Sequence, residues 1–253
     1  MFLSVGLLNF AVFYNIVLQP IMIKKALEKV ISEDMYDIWS ILSGDEKRMI
    51  TDNFRLQPYK KNQVIYAENE APEYLFALLK GKAKLYKEGA GGRQQILRLI
   101  SPVQYFGYRA YFAKETYVHT AAAMEASEIG VVPLKVVKTL IEQNKDVMWF
   151  FLHELARNLG SADTRTVNLT QKHIRGRLAE ALIVLRQQYG YEEDGVTLRM
   201  YMSREDLANF SNMTTSNAIR TLTAFVSERL IYVDGRQIKI TDEPQLLKIS
   251  KYG

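Results

Sequence analysis

The chain has 253 residues, of which 48% are apolar, and a formal net charge of +5, enough for two modest domains with substantial cores. It contains no cysteine, which excludes disulfides, thiol catalysis and cysteine-held zinc or iron–sulfur sites. Its three histidines, His119, His153 and His173, lie far apart in sequence, so no metal site is expected.

Residues 2–23 carry no charged side chain and are long enough to span a bilayer. They lack the basic start and small-residue cleavage site of a secretory signal, while Asn9, Asn15, Gln19 and Pro20 oppose insertion. Lys24-Lys25 follow directly, which under a membrane reading places everything downstream in the cytoplasm. Three readings stay open for 1–23: a translation start at Met22, a membrane or interfacial anchor, and a docked helix. Each leaves the functional body cytoplasmic.

Met35 to Arg48 is acidic and amphipathic and predicts a helix. From Phe54 to Leu134 the pattern turns to short strands: Leu56–Tyr66, Tyr74–Gly81, Ala83–Tyr86 and Gln94–Ile100, punctuated by Gly89-Ala90-Gly91-Gly92. Such spacing predicts a compact antiparallel barrel or jelly roll over a domain of residues 24–144. The glycine run lacks the Lys-Ser or Lys-Thr of a phosphate loop and reads as a turn. No paired acid and base and no nucleophile motif is present, so an enzyme is not expected.

Helix returns after Pro133. Met148, Leu152, Leu155, Leu159, Ala162, Thr166 and Leu169 repeat in steps of four and three, a heptad seam. The stripe suits either packing on the barrel or, preferentially, pairing of two subunits along residues 145–170. Ile174 to Tyr189 predicts a further helix opening the last domain, 171–253. There 12 Lys or Arg stand against 10 Asp or Glu, so affinity for phosphate must come from local placement.

Ser203 can cap a helix, with Asp206 three residues on completing a capping box. Leu207 and Phe210 give it an apolar side, and Ala208 allows close crossing. Asn212 tolerates the left-handed turn. Thr214 then caps a second helix that buries Ala218, Leu222, Phe225 and Val226 and points Thr215, Ser216, Asn217 and Arg220 outward. N-terminal residues of a recognition helix meet base edges; Arg220 suits guanine and Asn217 adenine. Leu230 to Ile240 alternates around Asp234-Gly235 and predicts a hairpin, the wing.

This order of parts resembles the cyclic-AMP receptor protein and fumarate–nitrate reduction regulator (CRP/FNR) superfamily of transcription regulators over roughly residues 35–245. The resemblance is carried by Tyr59–Tyr66, Ala71–Gly81, Gln104-Tyr105-Phe106-Gly107 and Glu125–Ile129 ahead of the seam and winged helix. It implies an α+β fold: an N-terminal cyclic-nucleotide-binding-like β-roll, a long dimerisation helix and a C-terminal winged helix-turn-helix. It further implies a homodimer on palindromic double-stranded DNA, contact with RNA polymerase, and Ser203, Arg204 and Thr214 as backbone-positioning groups.

Family members that bind cyclic AMP carry Gly-Glu for the ribose and Arg-Ser for the phosphate. Here Gly107 is followed by Tyr108, and Tyr117-Val118 stand where Arg-Ser would. Ala162-Asp163 replace the Thr-Ser pair that contacts adenine across the dimer. Tyr-Val offers one hydroxyl to a buried phosphate, so cyclic AMP is not expected to bind tightly. Arg109 adjoins the right turn, and Tyr108, Tyr111 and Tyr117 suit either a pocket for another effector or barrel packing. The effector stays unknown: an iron–sulfur cluster is excluded, and haem held by a histidine stays open with nothing favouring it. Glu of the familiar recognition helix is Ser216 here, while Arg220 is kept, so the operator should differ. A β-roll regulating a membrane or protein partner without DNA is the rival reading.

Overall fold

The computed structural model describes residues 19–89 and 91–253. Residues 1–18 of the apolar segment lie outside the described residues, and with them the anchor and start-site readings; Gln19 opens helix α1 (Gln19–Asp34). Among the described residues no helix is long and apolar enough to cross a membrane.

The helix expected over Met35–Arg48 is broken into α2 (Tyr36–Trp39) and α3 (Gly44–Asn53). Ser43 causes the break. Its side chain accepts from Glu46 N, and the Glu46 carboxylate accepts from Ser43 N at 2.7 Å. This capping box starts a new helix where amphipathicity alone suggested continuity.

Eight strands come next: β1 (Arg55–Tyr59), β2 (Val64–Tyr66), β3 (Tyr74–Lys80), β4 (Ala83–Glu88), β5 (Gln94–Ile100), β6 (Gln104–Phe106), β7 (Thr120–Ala123) and β8 (Ser127–Pro133). They form two antiparallel sheets, β1-β8-β3-β6 and β2-β7-β4-β5. Phe76, Leu78, Leu85, Ile100, Phe106 and Ile129 fill the space between them. A short helix, α4 (Arg109–Ala113), leaves β6 through Gly107. There φ is +85°, and an added Cβ would lie 2.6 Å from the Phe76 ring, so only glycine fits.

Strand β5 is irregular, and the irregularity sets which of its side chains face the interior. Its register against β4 shifts between Leu85 and Tyr86, so Tyr86 faces Ile96, Leu85 faces Arg98, and Leu97 is the extra residue. Ile96 and Leu99 thereby both turn outward, while Arg98 and Ile100 turn toward the barrel interior. A bulge of one residue re-aims side chains in this way.

Helix α5 (Leu134–Gln143) packs on the roll, and Asn144 caps α6 (Lys145–Gln171), accepting from Asp146 N and Val147 N. Helix α6 has two apolar faces. Val147, Phe151 and Leu155 pack against the barrel with Tyr105 and Tyr108. Met148, Leu152 and Leu159 stand exposed, Leu159 by 64%; Ala162 and Thr166 are also exposed, and Leu169 is half-buried. Leu155 therefore serves the barrel as well as the seam.

Helix α7 (Ile174–Tyr189) leads to α8 (Arg204–Phe210), α9 (Thr215–Ser227), the hairpin β9 (Ile231–Asp234) and β10 (Gln237–Ile240), and α10 (Glu243–Tyr252). Leu182, Leu207, Phe210, Leu222, Phe225 and Ile238 build one core. Outward-facing Ile96 and Leu99 of β5 belong to that same core. The carbonyl groups along β5 are covered from the other side: Arg165 donates to Ile96 O (2.9 Å), Gln188 to Leu99 O (2.9 Å) and Tyr189 to Ile100 O (3.3 Å). An open strand edge is thus closed by side chains.

Candidate nucleic-acid interface and effector cavity

Asn212, at φ +51°, makes the left-handed turn between α8 and α9. Ser203 caps α8, accepting from Asp206 N at 2.9 Å. The expected capping box does not close. The Asp206 carboxylate accepts instead from the Ser203 hydroxyl (2.8 Å) and from Lys84 Nζ of β4 (2.6 Å). A cation from the barrel outcompetes a neutral backbone N–H for that carboxylate.

Thr214 caps α9 through Asn217 N (3.2 Å). Thr214, Thr215, Ser216 and Arg220 are exposed at its start; Asn217 is half-buried, and its side-chain oxygen accepts from the Arg220 guanidinium. Thr215, Ser216 and Arg220 thus form one open polar face at a helix N-terminus. Two further exposed residues, Ile219 and Thr223, extend it. Their apolar atoms suit thymine methyl groups, a role that a reading confined to polar side chains misses. Ala218, Leu222 and Phe225 are buried as expected, but Val226 is exposed, because a fourth position one turn on drifts off a narrow apolar stripe.

Arg204 donates to Gly235 O at 2.5 Å. Gly235, at φ +54°, opens the wing turn, so Arg204 ties the wing to the first helix of the pair. The Ser203 hydroxyl is likewise engaged within the fold, with Asp206.

Between the roll, α6 and the last domain lies a cavity of about 890 Å³, within the range of small-molecule sites. Gly107, Tyr108, Arg109, Tyr117, Val118 and Ala162 line it; Asp163 and Tyr111 do not. Asp163 is exposed on α6, and Tyr111 packs edge-on against Phe112. Tyr108 leans on Phe151 and accepts from Asn158 of α6 (3.3 Å), and burial pushes its hydroxyl up to about 12. Tyr117 stacks on Tyr66 with ring centres 3.7 Å apart. Both tyrosines are therefore packing groups with an edge in the cavity. Arg109 pairs with Glu115 at 3.1 Å.

Two arginines that sequence reasoning missed face the same space. Arg98 enters from β5, and among the described residues its guanidinium has no hydrogen bond or ion pair; burial lowers its pKa, opposed by Tyr108, Glu154 and Tyr66. Arg165 enters from α6, donating to Ile96 O and to Phe210 O (2.6 Å) with its Nε unpaired. Burial pulls it down to about 10. His119 lines the cavity beside Tyr66, whose hydroxyl lies 3.3 Å from its Nδ1. Burial, and then the charge of Arg109, lower it to about 4, so it is neutral at pH 7. Among the described residues no group of three metal-ligating side chains gathers.

Residues 56–144 match the family model of the cyclic nucleotide-binding domain, and residues 176–249 that of the Crp-like helix-turn-helix domain. The two matches fall on the cavity-bearing roll and on the winged unit. The chain belongs to the CRP/FNR superfamily of transcription regulators. Among its relatives, the CRP-like cAMP-activated global transcriptional regulator of Mycobacterium tuberculosis is 23% identical over 199 residues, 77% of this chain and 88% of the relative. The transcriptional activator protein anr of Pseudomonas aeruginosa is 23% identical over 78% of this chain and 80% of its own length. In fold, this CRP/FNR chain is similar to FixK2 of Bradyrhizobium japonicum, with a TM-score of 0.71 at 22% identity, covering 78% of this chain and 96% of that one. Its helix-turn-helix is that of a DNA-binding regulator.

Proposed function

We propose that this protein is a cytoplasmic homodimer that binds a palindromic operator and regulates transcription in concert with RNA polymerase. The observation that carries this is the exposed start of α9, where Thr215, Ser216 and Arg220 project from a capped N-terminus beside a tethered wing. N-terminal residues of such a helix read base edges, and two copies one helical turn apart read a palindrome. The exposed stripe Met148, Leu152 and Leu159 supplies the second requirement, since apolar residues at heptad spacing pair helices.

The roll acts as a sensor whose effector is not cyclic AMP. The turn that would hold the cyclic phosphate presents Val118 and a Tyr117 packed on Tyr66, and a buried phosphate without a cation there is left unsatisfied. Ser216 in place of an acceptor for cytosine changes the preferred bases. Selection from random duplex DNA at about 150 mM salt tests the reading, because nonspecific phosphate binding is weak there. A recovered palindrome with a sequence unlike the familiar operator is expected. Enrichment of no sequence, in the presence and absence of cell extract small molecules, overturns it.

A further inference from the structure

The cavity is built for an anion, and its anchor lies on the strand wall rather than at the turn. Five arginines line it (Arg98, Arg109, Arg157, Arg165 and Arg177) against three carboxylates (Asp37, Glu154 and Glu180). Most of those charges are already engaged. Arg109 is paired with Glu115, Arg157 with Glu154, Arg177 bonds Leu169 O, and Glu180 accepts from Lys172 and Asn168. Arg98 is the exception among the arginines: among the described residues no hydrogen bond or ion pair engages its guanidinium. Arg165 has backbone carbonyl partners on its Nη2 and an orphan Nε.

Arg98 is half-buried, and its guanidinium opens onto the cavity with no hydrogen-bond partner among the described residues, so an anion entering the cavity can bond it without displacing another group. Arg98 shares the inward face of β5 with Ile100, while the bulge at Leu97 sends Ile96 to the outer face. Tyr108, Glu154 and Tyr66 are the groups whose charges act on it; Asn158 donates to the Tyr108 hydroxyl, and Glu154 is already paired with Arg157. Tyr117 and Tyr66 add aromatic edges beside it.

We propose that the effector of this protein is a small organic acid other than a cyclic nucleotide, a carboxylate or phosphate monoester with an apolar or aromatic body, whose anionic head is held by Arg98 on the strand wall, away from the Tyr117-Val118 turn. This deepens, and rests on, the reading of the cavity as a sensory site. The occupant neutralises Arg98 on the inner face of β5, whose outer face carries Ile96 and Leu99 in the core of the DNA-binding unit.

The test measures binding without DNA, so its failure is separable from failure of the operator reading. Thermal unfolding of the full chain is followed with benzoate, phenyl phosphate and the neutral isostere benzamide, each at about 20 mM, a concentration suited to millimolar affinity. Benzoate or phenyl phosphate is expected to raise Tm by about 2 °C or more and benzamide not to; which of the two acts tells carboxylate from phosphate. Arg98→Lys should keep the shift and Arg98→Gln should lose it. An equal shift with benzamide, no shift with either anion, or an undiminished shift in Arg98→Gln overturns the proposal. The comparison of benzoate with benzamide on the unaltered protein stands even where a variant fails to fold.

Discussion

Lys84, on the outer face of the β-roll, reaches Asp206, the third residue of the helix that precedes the recognition helix, at 2.6 Å with side chains only 12% and 24% exposed. Arg93 to Asn212 (3.2 Å) and Gln95 to Asn209 O (2.8 Å) run beside it. The DNA-binding unit is therefore fastened to the sensory unit of its own chain through polar contacts as well as through Ile96 and Leu99. A double-mutant cycle on Lys84→Met and Asp206→Asn should give a coupling energy of about 0.5–3 kcal/mol in urea unfolding. A coupling near zero makes the pair incidental.

Arg220→Ala should cost about 1–3 kcal/mol in operator binding and relax preference at one base pair per half-site. Binding to a library randomised at each operator position checks this. Equal loss on every sequence reassigns Arg220 to a phosphate.

Leu159→Glu, at the most exposed apolar position of α6's open face, should convert the proposed dimer to monomer while leaving the monomer's fold intact, since the residue is 64% exposed within its own chain. Sedimentation equilibrium reads the mass, and circular dichroism the fold. The monomer should bind a half-site far more weakly than the dimer binds the palindrome.

His119 makes stability depend on acidity. Its pKa falls from 6.5 to about 4 on folding, so between those values the unfolded chain binds the extra proton and the native chain does not. Stability therefore rises with pH across that window, and is lost as pH falls from 6.5 toward 4. His119→Gln should flatten this part of the profile of Tm against pH.

Gly107→Ala should destabilise the roll by roughly 1–3 kcal/mol, since alanine at φ +85° is strained and its methyl meets the Phe76 ring. Urea unfolding measures it.

Local chemistry was legible in the sequence, and features set by pairing were not. Ser203 and Thr214 as caps, Asn212 as a left-handed turn and the glycine of the wing turn are signals carried by single residues and their near neighbours. Arg98 was hidden because strict alternation puts Ile96, Arg98 and Ile100 on one face. The extra residue at Leu97, visible only against β4, separates them. The second apolar face of α6, Val147, Phe151 and Leu155, was overshadowed by the longer heptad seam that shares Leu155. Asp206's departure from the capping box needed Lys84, 122 positions away in the chain.

The bulge at Leu97 has a consequence for how many subunits a response requires. Because Leu99 of β5, Val184 of α7 and Phe210 of α8 line the cavity together with Arg98, an occupant would touch the sensory and DNA-binding units of one chain at once. Under the proposed sensing role, a change at Arg98 would act on the winged helix of its own chain without crossing to a partner. In the proposed homodimer, signal reception would then be autonomous to each protomer, with pairing needed only to read the second half of the proposed operator.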